Sequence, residues 1–129
     1  MTTYLLDSHT LIWWWLDRPM LSPAARSLIG SNARDLRVSA VTAFEIGQKV
    51  RIGKLPELAE PLADYDANLR LEGISQLHLT GEQMLLAGTM KSEHRDPFDR
   101  MIAAQALTGE LTIVSGDGAF TAFGCKTLW

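Results

Sequence analysis

Only one cysteine, Cys125, occurs in the 129 residues, which excludes an internal disulfide framework and a multi-cysteine zinc site. No apolar run approaches the ~20 residues needed to span a bilayer, so no membrane association is expected. The opening Met1-Thr2-Thr3-Tyr4 carries no basic residue and Asp7 soon interrupts it, so no secretory signal is expected. There is no internal repeat, low-complexity tract or linker. Basic residues are in short supply: 12 Lys and Arg stand against 15 Asp and Glu, a net charge of −3. Taken as surface charge, that balance argues against a nucleic-acid partner, because phosphates are neutralised by clustered Lys and Arg. What is plentiful is apolar. The chain is 47% hydrophobic and 21% charged, enough for a buried core and unlike a disordered segment. The expectation is one intracellular, cytoplasmic domain spanning residues 1–129.

Short apolar runs alternate with helical stretches. Tyr4-Leu5-Leu6 reads as a strand ending at Asp7, and Thr10 to Leu16 as a helix closed by Asp17-Arg18-Pro19. Ser22-Pro23 is an N-cap with proline in the first turn of a helix to about Gly30. Leu36 to Ala40 reads as a second strand, Val41 to Ile52 as a helix stopped by Gly53, and Glu60 to Leu71 as another helix. Ile74 to Leu79 is a third strand candidate. Thr80-Gly81-Glu82-Gln83 fits a capping box for a helix to roughly Ser92. Asp96-Pro97 opens a helix ended by Gly109, Leu111 to Val114 is a compact strand, and the tail near Cys125 to Leu128 reads as an edge strand. Strands alternating with helices indicate an α/β domain with a mainly parallel sheet. In such sheets, sites gather beyond the carboxyl ends of the strands.

Several acids fall at that edge. Asp7 ends the first strand, and Asp117 lies just past the Leu111–Val114 strand; each also suits a structural role, Asp7 as an N-cap and Asp117 as an Asp-Gly turn residue. Glu45 shares a helix face with Val41, Gln48 and Ile52. A carboxylate among apolar neighbours needs a partner, unless Thr42 and Glu45 form a capping box on a later-starting helix. Asp96 before Pro97 is most simply an N-cap, whereas Asp99, in the first turn, shares a face with Ile102, Ala103 and Ala106. If Asp7, Glu45, Asp99 and Asp117 converge, each close pair repels by about 3 kcal/mol at ~5 Å and an effective dielectric near 20. Either pKa values rise or a divalent cation binds. All-oxygen ligands favour Mg²⁺ or Mn²⁺, which accept substrate phosphate oxygens and activate water.

Four segments together resemble one family: Leu5-Leu6-Asp7-Ser8-His9-Thr10-Leu11-Ile12-Trp13-Trp14, Ser39-Ala40-Val41-Thr42-Ala43-Phe44-Glu45-Ile46, His94-Arg95-Asp96-Pro97-Phe98-Asp99-Arg100 and Ile113-Val114-Ser115-Gly116-Asp117. They look like a PIN domain, and more narrowly like the VapC-type toxins of bacterial type II toxin–antitoxin modules. The resemblance spans essentially the whole chain. It implies a three-layer α/β/α fold around a parallel sheet of order 3-2-1-4-5. It also implies a Mg²⁺- or Mn²⁺-dependent endoribonuclease, usually a homodimer, inhibited by a VapB-like antitoxin. Asp7, Glu45, Asp99 and Asp117 match the family's acidic quartet. Asp96 belongs to the His-x-Asp-Pro-Phe-Asp variant, and Ser8 and Ser115 fall where a small hydroxyl residue often lies near the metal.

Lys49, Arg51, Lys54, Arg95 and Arg100 stand where they could carry RNA phosphates past the site, or form an ordinary solvated face. Trp13-Trp14-Trp15 cannot share one helix face, so at least one is expected in the core and another at a dimer or antitoxin surface. His9, His78 and His94 lack metal-ligand spacing and read as supporting or structural residues. Two other classes use the same acids: a small-molecule phosphohydrolase, and a non-enzymatic receiver-like module. The second expects paired acids near the first strand, where only Asp7 stands. With four of the 15 acids drawn inward, 11 remain against 12 bases, so the net charge does not exclude RNA.

Overall fold

The structure, a computed structural model, describes residues 1–129. Five short strands form one parallel sheet: β1 (Thr3–Leu6), β2 (Asp35–Ser39), β3 (Ile74–Leu77), β4 (Thr112–Val114) and β5 (Lys126–Leu128). Their order is β3-β2-β1-β4-β5, the order the family resemblance implies. Leu6 is in register with Val38 on one side and Val114 on the other. The chain therefore reverses its direction of winding at β1, and a crevice opens beyond the carboxyl ends of β1 and β4.

Alternation along the strands builds two cores. Leu6 and Val114 face one layer, where Leu36, Val38 and Ile74 join residues of α1 (Ser8–Trp15), α2 (Pro23–Gly30), α3 (Ala40–Arg51) and α5 (Tyr65–Leu71). Leu5 and Ile113 face the other, against Ile102, Ala103 and Ala106 of α7 (Pro97–Gly109) and Phe120 of α8 (Gly118–Ala122). Each fully buried Leu, Ile or Phe contributes about 1.5–3 kcal/mol. The two alanines of α7 on this face let that helix lie close on the sheet, which brings its first turn to the crevice.

Some boundaries differ from expectation. The helix read over 60–71 is two, α4 (Ala59–Ala63) and α5, preceded by a 3₁₀ turn at Pro56–Leu58. Asp64 leaves helical dihedrals at φ −125°, ψ 46°, and the Asn68 side chain donates to the Pro61 carbonyl left behind at 2.9 Å. The helix after the Thr80–Gln83 capping box, α6 (Gly81–Thr89), stops short of Ser92, because the carbonyls of Met90, Ser92 and His94 are taken by Arg100. The tryptophan triplet is half-buried throughout. Trp14 and Trp15 donate their indole N–H groups to the two oxygens of Glu72, at 3.1 and 3.0 Å. That carboxylate uses up both donors and ties α1 to the end of α5.

Candidate metal centre at the sheet edge

Asp7 leaves β1 with its backbone N–H on the Val114 carbonyl at 3.2 Å, which extends the β1–β4 pairing by one residue. It occupies the N-cap position of α1 in extended geometry, yet its side chain makes no capping bond. The buried carboxylate instead accepts the Ser115 hydroxyl at 3.0 Å. The same Ser115 oxygen accepts the Asp117 N–H at 3.0 Å. Asp117 caps α8, with one carboxylate oxygen on the Ala119 N–H at 2.9 Å, and is exposed. Its carboxylate is thus part cap, part free.

Glu45 sits in the middle of α3, because Ser39 caps that helix through the Val41 N–H at 3.1 Å. A Thr42–Glu45 capping box does not form. Thr42 is buried, and its hydroxyl pairs with that of Ser8 at 2.8 Å. Glu45 is only 8% exposed. Lys49, one turn on, approaches Glu45 Oε2 at 3.7 Å, while Glu45 Oε1 is buried with no hydrogen-bond partner. Across the crevice, Asp96 caps α7 by accepting the N–H groups of Phe98 and Asp99 at 2.8 and 3.2 Å. Asp99 follows in the first turn, with Oδ2 2.8 Å from His94 Nε2.

Electrostatics link the four acids. Burial raises the Asp7 carboxyl from 3.8 to about 7; the Ser115 hydrogen bond opposes that rise, and the Asp99 and Glu45 charges add to it. Asp99 is also raised, first by burial, against the His94 hydrogen bond, and further by Asp96 and Asp117. Asp7 therefore feels Glu45 and Asp99, and Asp99 feels Asp117. A buried group so destabilised as an anion is relieved by a proton or a cation.

No three of the His, Cys, Asp and Glu side chains converge tightly enough to form a ready-made chelate. A hard ion such as Mg²⁺ keeps several waters and is held by one or two carboxylates plus substrate phosphates. The unpartnered Glu45 Oε1, the all-oxygen donor set and the proton affinity of Asp7 all fit such an ion.

Two placements are corrected. The Ser8 side chain is fully buried against Thr42 and does not reach the acid cluster; only its backbone N–H serves Asp7. Arg100 is not available to RNA: its guanidinium donates to the carbonyls of Ala87, Met90, Ser92 and His94 and lies over the Phe123 ring. Arg51, Lys54 and Arg95 are exposed, and Lys49 is half-buried. His9 and His94, expected as supporting or structural residues, have partners the sequence did not reveal: His94 pairs with Asp99, and His9 Nδ1 lies 3.9 Å from Asp7 Oδ2 while its Nε2 meets Lys49 Nζ at 3.3 Å. The offset of one helical turn from Glu45 to Lys49 was a usable signal; nothing local brings His9 to Lys49.

The PIN domain family model matches residues 4–124. The chain belongs to the PIN domain family. This PIN domain is 32% identical over 118 residues to Ribonuclease VapC22 of Mycobacterium tuberculosis, covering 91% of this chain and 88% of that one. Its fold is that of FitAcB from Neisseria gonorrhoeae, with a TM-score of 0.71 and 24% identity over 98% of this chain and 97% of the other. DNA-bound VapBC from Salmonella typhimurium has the same fold, with a TM-score of 0.69 and 19% identity over 99% and 98%. No helix is long and apolar enough to cross a membrane.

Proposed function

We propose that this PIN domain is a metal-dependent endoribonuclease, the toxin of a VapBC-type toxin–antitoxin module acting in the bacterial cytoplasm, with residues 1–129 forming one functional domain. The observation that carries the reading is the electrostatic coupling at the sheet edge of buried Asp7 and Glu45 with half-buried Asp99 and exposed Asp117, Asp7 being repelled by Asp99 and Glu45, and Asp99 by Asp117, with Glu45 Oε1 unpartnered. The likeness to a VapC ribonuclease supports RNA as the substrate, and the likeness to toxin–antitoxin complexes supports a VapB-like antitoxin as partner. The homodimer rests on the family resemblance.

Asp7, Glu45, Asp99 and Asp117 would hold Mg²⁺ or Mn²⁺, directly or through water. When bound, the ion supplies an activated water and neutralises charge developing on the phosphodiester. Ser115 and His94 orient Asp7 and Asp99 through their hydrogen bonds. Asp96 fixes the backbone of the first turn of α7, so that Asp99 keeps its aim. Lys49 offsets the Glu45 charge, and Arg51 and Arg95 give phosphates a basic approach. The test is cleavage of single-stranded RNA in Mg²⁺ or Mn²⁺, abolished by EDTA and restored by the ion. Hydrolysis of simple phosphoesters without cleavage of RNA overturns the proposal in favour of a small-molecule phosphohydrolase.

A further inference from the structure

A cavity of about 310 Å³ opens directly beside Asp7 and Asp117, at the small end of the ~300–1,000 Å³ usual for ligand clefts. Three aromatic rings, His9, Trp13 and Trp129, share its other walls with Met20. Trp13 of α1 and Trp129, which follows β5, meet at 5.9 Å between ring centroids with their planes 57° apart, and His9 lies 5.7 Å from Trp13. The Trp129 indole rests on Gly116, where a Cβ would come within 2.7 Å of Nε1. Glycine between Ser115 and Asp117 thus lets an aromatic face lie against the loop that carries both. Two of the cavity's polar side chains are committed within the protein: Thr10 donates to the Val114 carbonyl at 2.7 Å and Ser115 to Asp7.

We propose that this cavity is a stacking subsite for one unpaired nucleobase of single-stranded RNA, taken on the faces of Trp13 and Trp129 beside the phosphate held at the acid cluster. The inference rests on the nuclease reading and names what that site does with the neighbouring nucleoside. A phosphate at Asp7 and Asp117 places its nucleoside at the mouth of the cavity those carboxylates line. Tryptophan faces accept every base, because every base has a π-face, so the stacking contact is tolerant of base identity. RNA is commonly bound through such unstacked bases. Trp129 becomes a positioning residue for substrate, acting before any bond is broken.

The test measures binding of a short single-stranded oligoribonucleotide, and of a series with one abasic position each, by fluorescence anisotropy in Mg²⁺. An Asp99→Asn background keeps the strand intact, and Trp129→Ala and Trp129→Phe are added to it. At one position, removing the base is expected to weaken binding roughly ten-fold. That penalty vanishes in Trp129→Ala and persists in Trp129→Phe, which keeps an aromatic face. If every abasic penalty is the same with Trp129→Ala, the subsite is wrong, while RNA cleavage by the unsubstituted chain leaves the nuclease reading standing. If Trp129→Ala weakens only capture of the antitoxin, the cavity docks protein and the proposal falls. Absence of both RNA binding and cleavage overturns the subsite and the nuclease reading together.

Discussion

The Ser115 hydroxyl donates to the buried carboxylate of Asp7 across 108 residues of sequence, at 3.0 Å. With its other lone pairs Ser115 accepts the Asp117 N–H, so one small side chain joins the ends of β1 and β4 and sets two of the four acids. The bond favours the ionised form of Asp7.

Ser115→Ala removes a bond to a carboxylate, worth about 1.5–3 kcal/mol. The Asp7 pKa, already raised to about 7, then rises further. RNA cleavage is expected to fall about ten-fold at neutral pH and limiting Mn²⁺, where proton and ion compete for Asp7, and to recover as pH or Mn²⁺ concentration is raised. A uniform loss at every pH contradicts this role.

Without metal, Asp7 is a cost to the fold. Its pKa is about 7 folded against 3.8 in the reference state, so the folded protein holds a proton that the unfolded chain releases. The associated stability is fully present below pH 3.8 and is lost as pH rises through about 7. At 1.36 kcal/mol per unit the span is roughly 4 kcal/mol. In EDTA, Asp7→Asn is therefore expected to melt several degrees higher than the unsubstituted protein at pH 8 and near it at pH 4. Adding Mn²⁺ should raise the melting temperature of the unsubstituted protein more than that of Asp7→Asn. Thermal unfolding at the two pH values checks both statements.

Arg100 and Arg95 lie in one motif but do different work. Arg100 satisfies four carbonyls and covers Phe123. Arg100→Ala should cost about 2–4 kcal/mol in denaturant unfolding, and Arg100→Lys should recover little, since an ammonium cannot reproduce the planar fork. Arg95→Ala, at an exposed position, should leave stability within about 0.5 kcal/mol and reduce the salt dependence of RNA binding by about one phosphate contact.

The fold was readable because its signals are local and repeated. Apolar triplets closed by Asp7 or Ser115, caps at Ser22, Thr80 and Asp96, and a proline after two of them mark the elements without long-range information. The strand order came through the family resemblance, since pairing between Leu6 and Val114 has no local signature. The acids of the crevice are proposed as site residues because each stands near a strand end or on an apolar helix face. Which hydroxyl would serve them was not visible: Ser8 and Ser115 look alike in sequence, and only packing turns Ser8 toward Thr42. The same holds for Arg100, whose carbonyl partners all lie in the 87–94 segment, and for Trp129, whose distance from Gly116 is set by the sheet. Asp64, which divides the expected helix, gives no stronger breaker signal than many helical aspartates.

Metal-dependent RNA cleavage is proposed to rest on the carboxylates of the crevice acting together. Its most direct measurement is the cleavage rate of purified Asp7→Asn and Asp99→Asn against the unsubstituted protein in Mn²⁺, with circular dichroism confirming the fold. Each substitution keeps the side chain's shape and removes its charge. Losses of about a thousand-fold are expected, since a bound ion contributes several kcal/mol to the transition state. Unchanged cleavage by both variants would contradict the proposal.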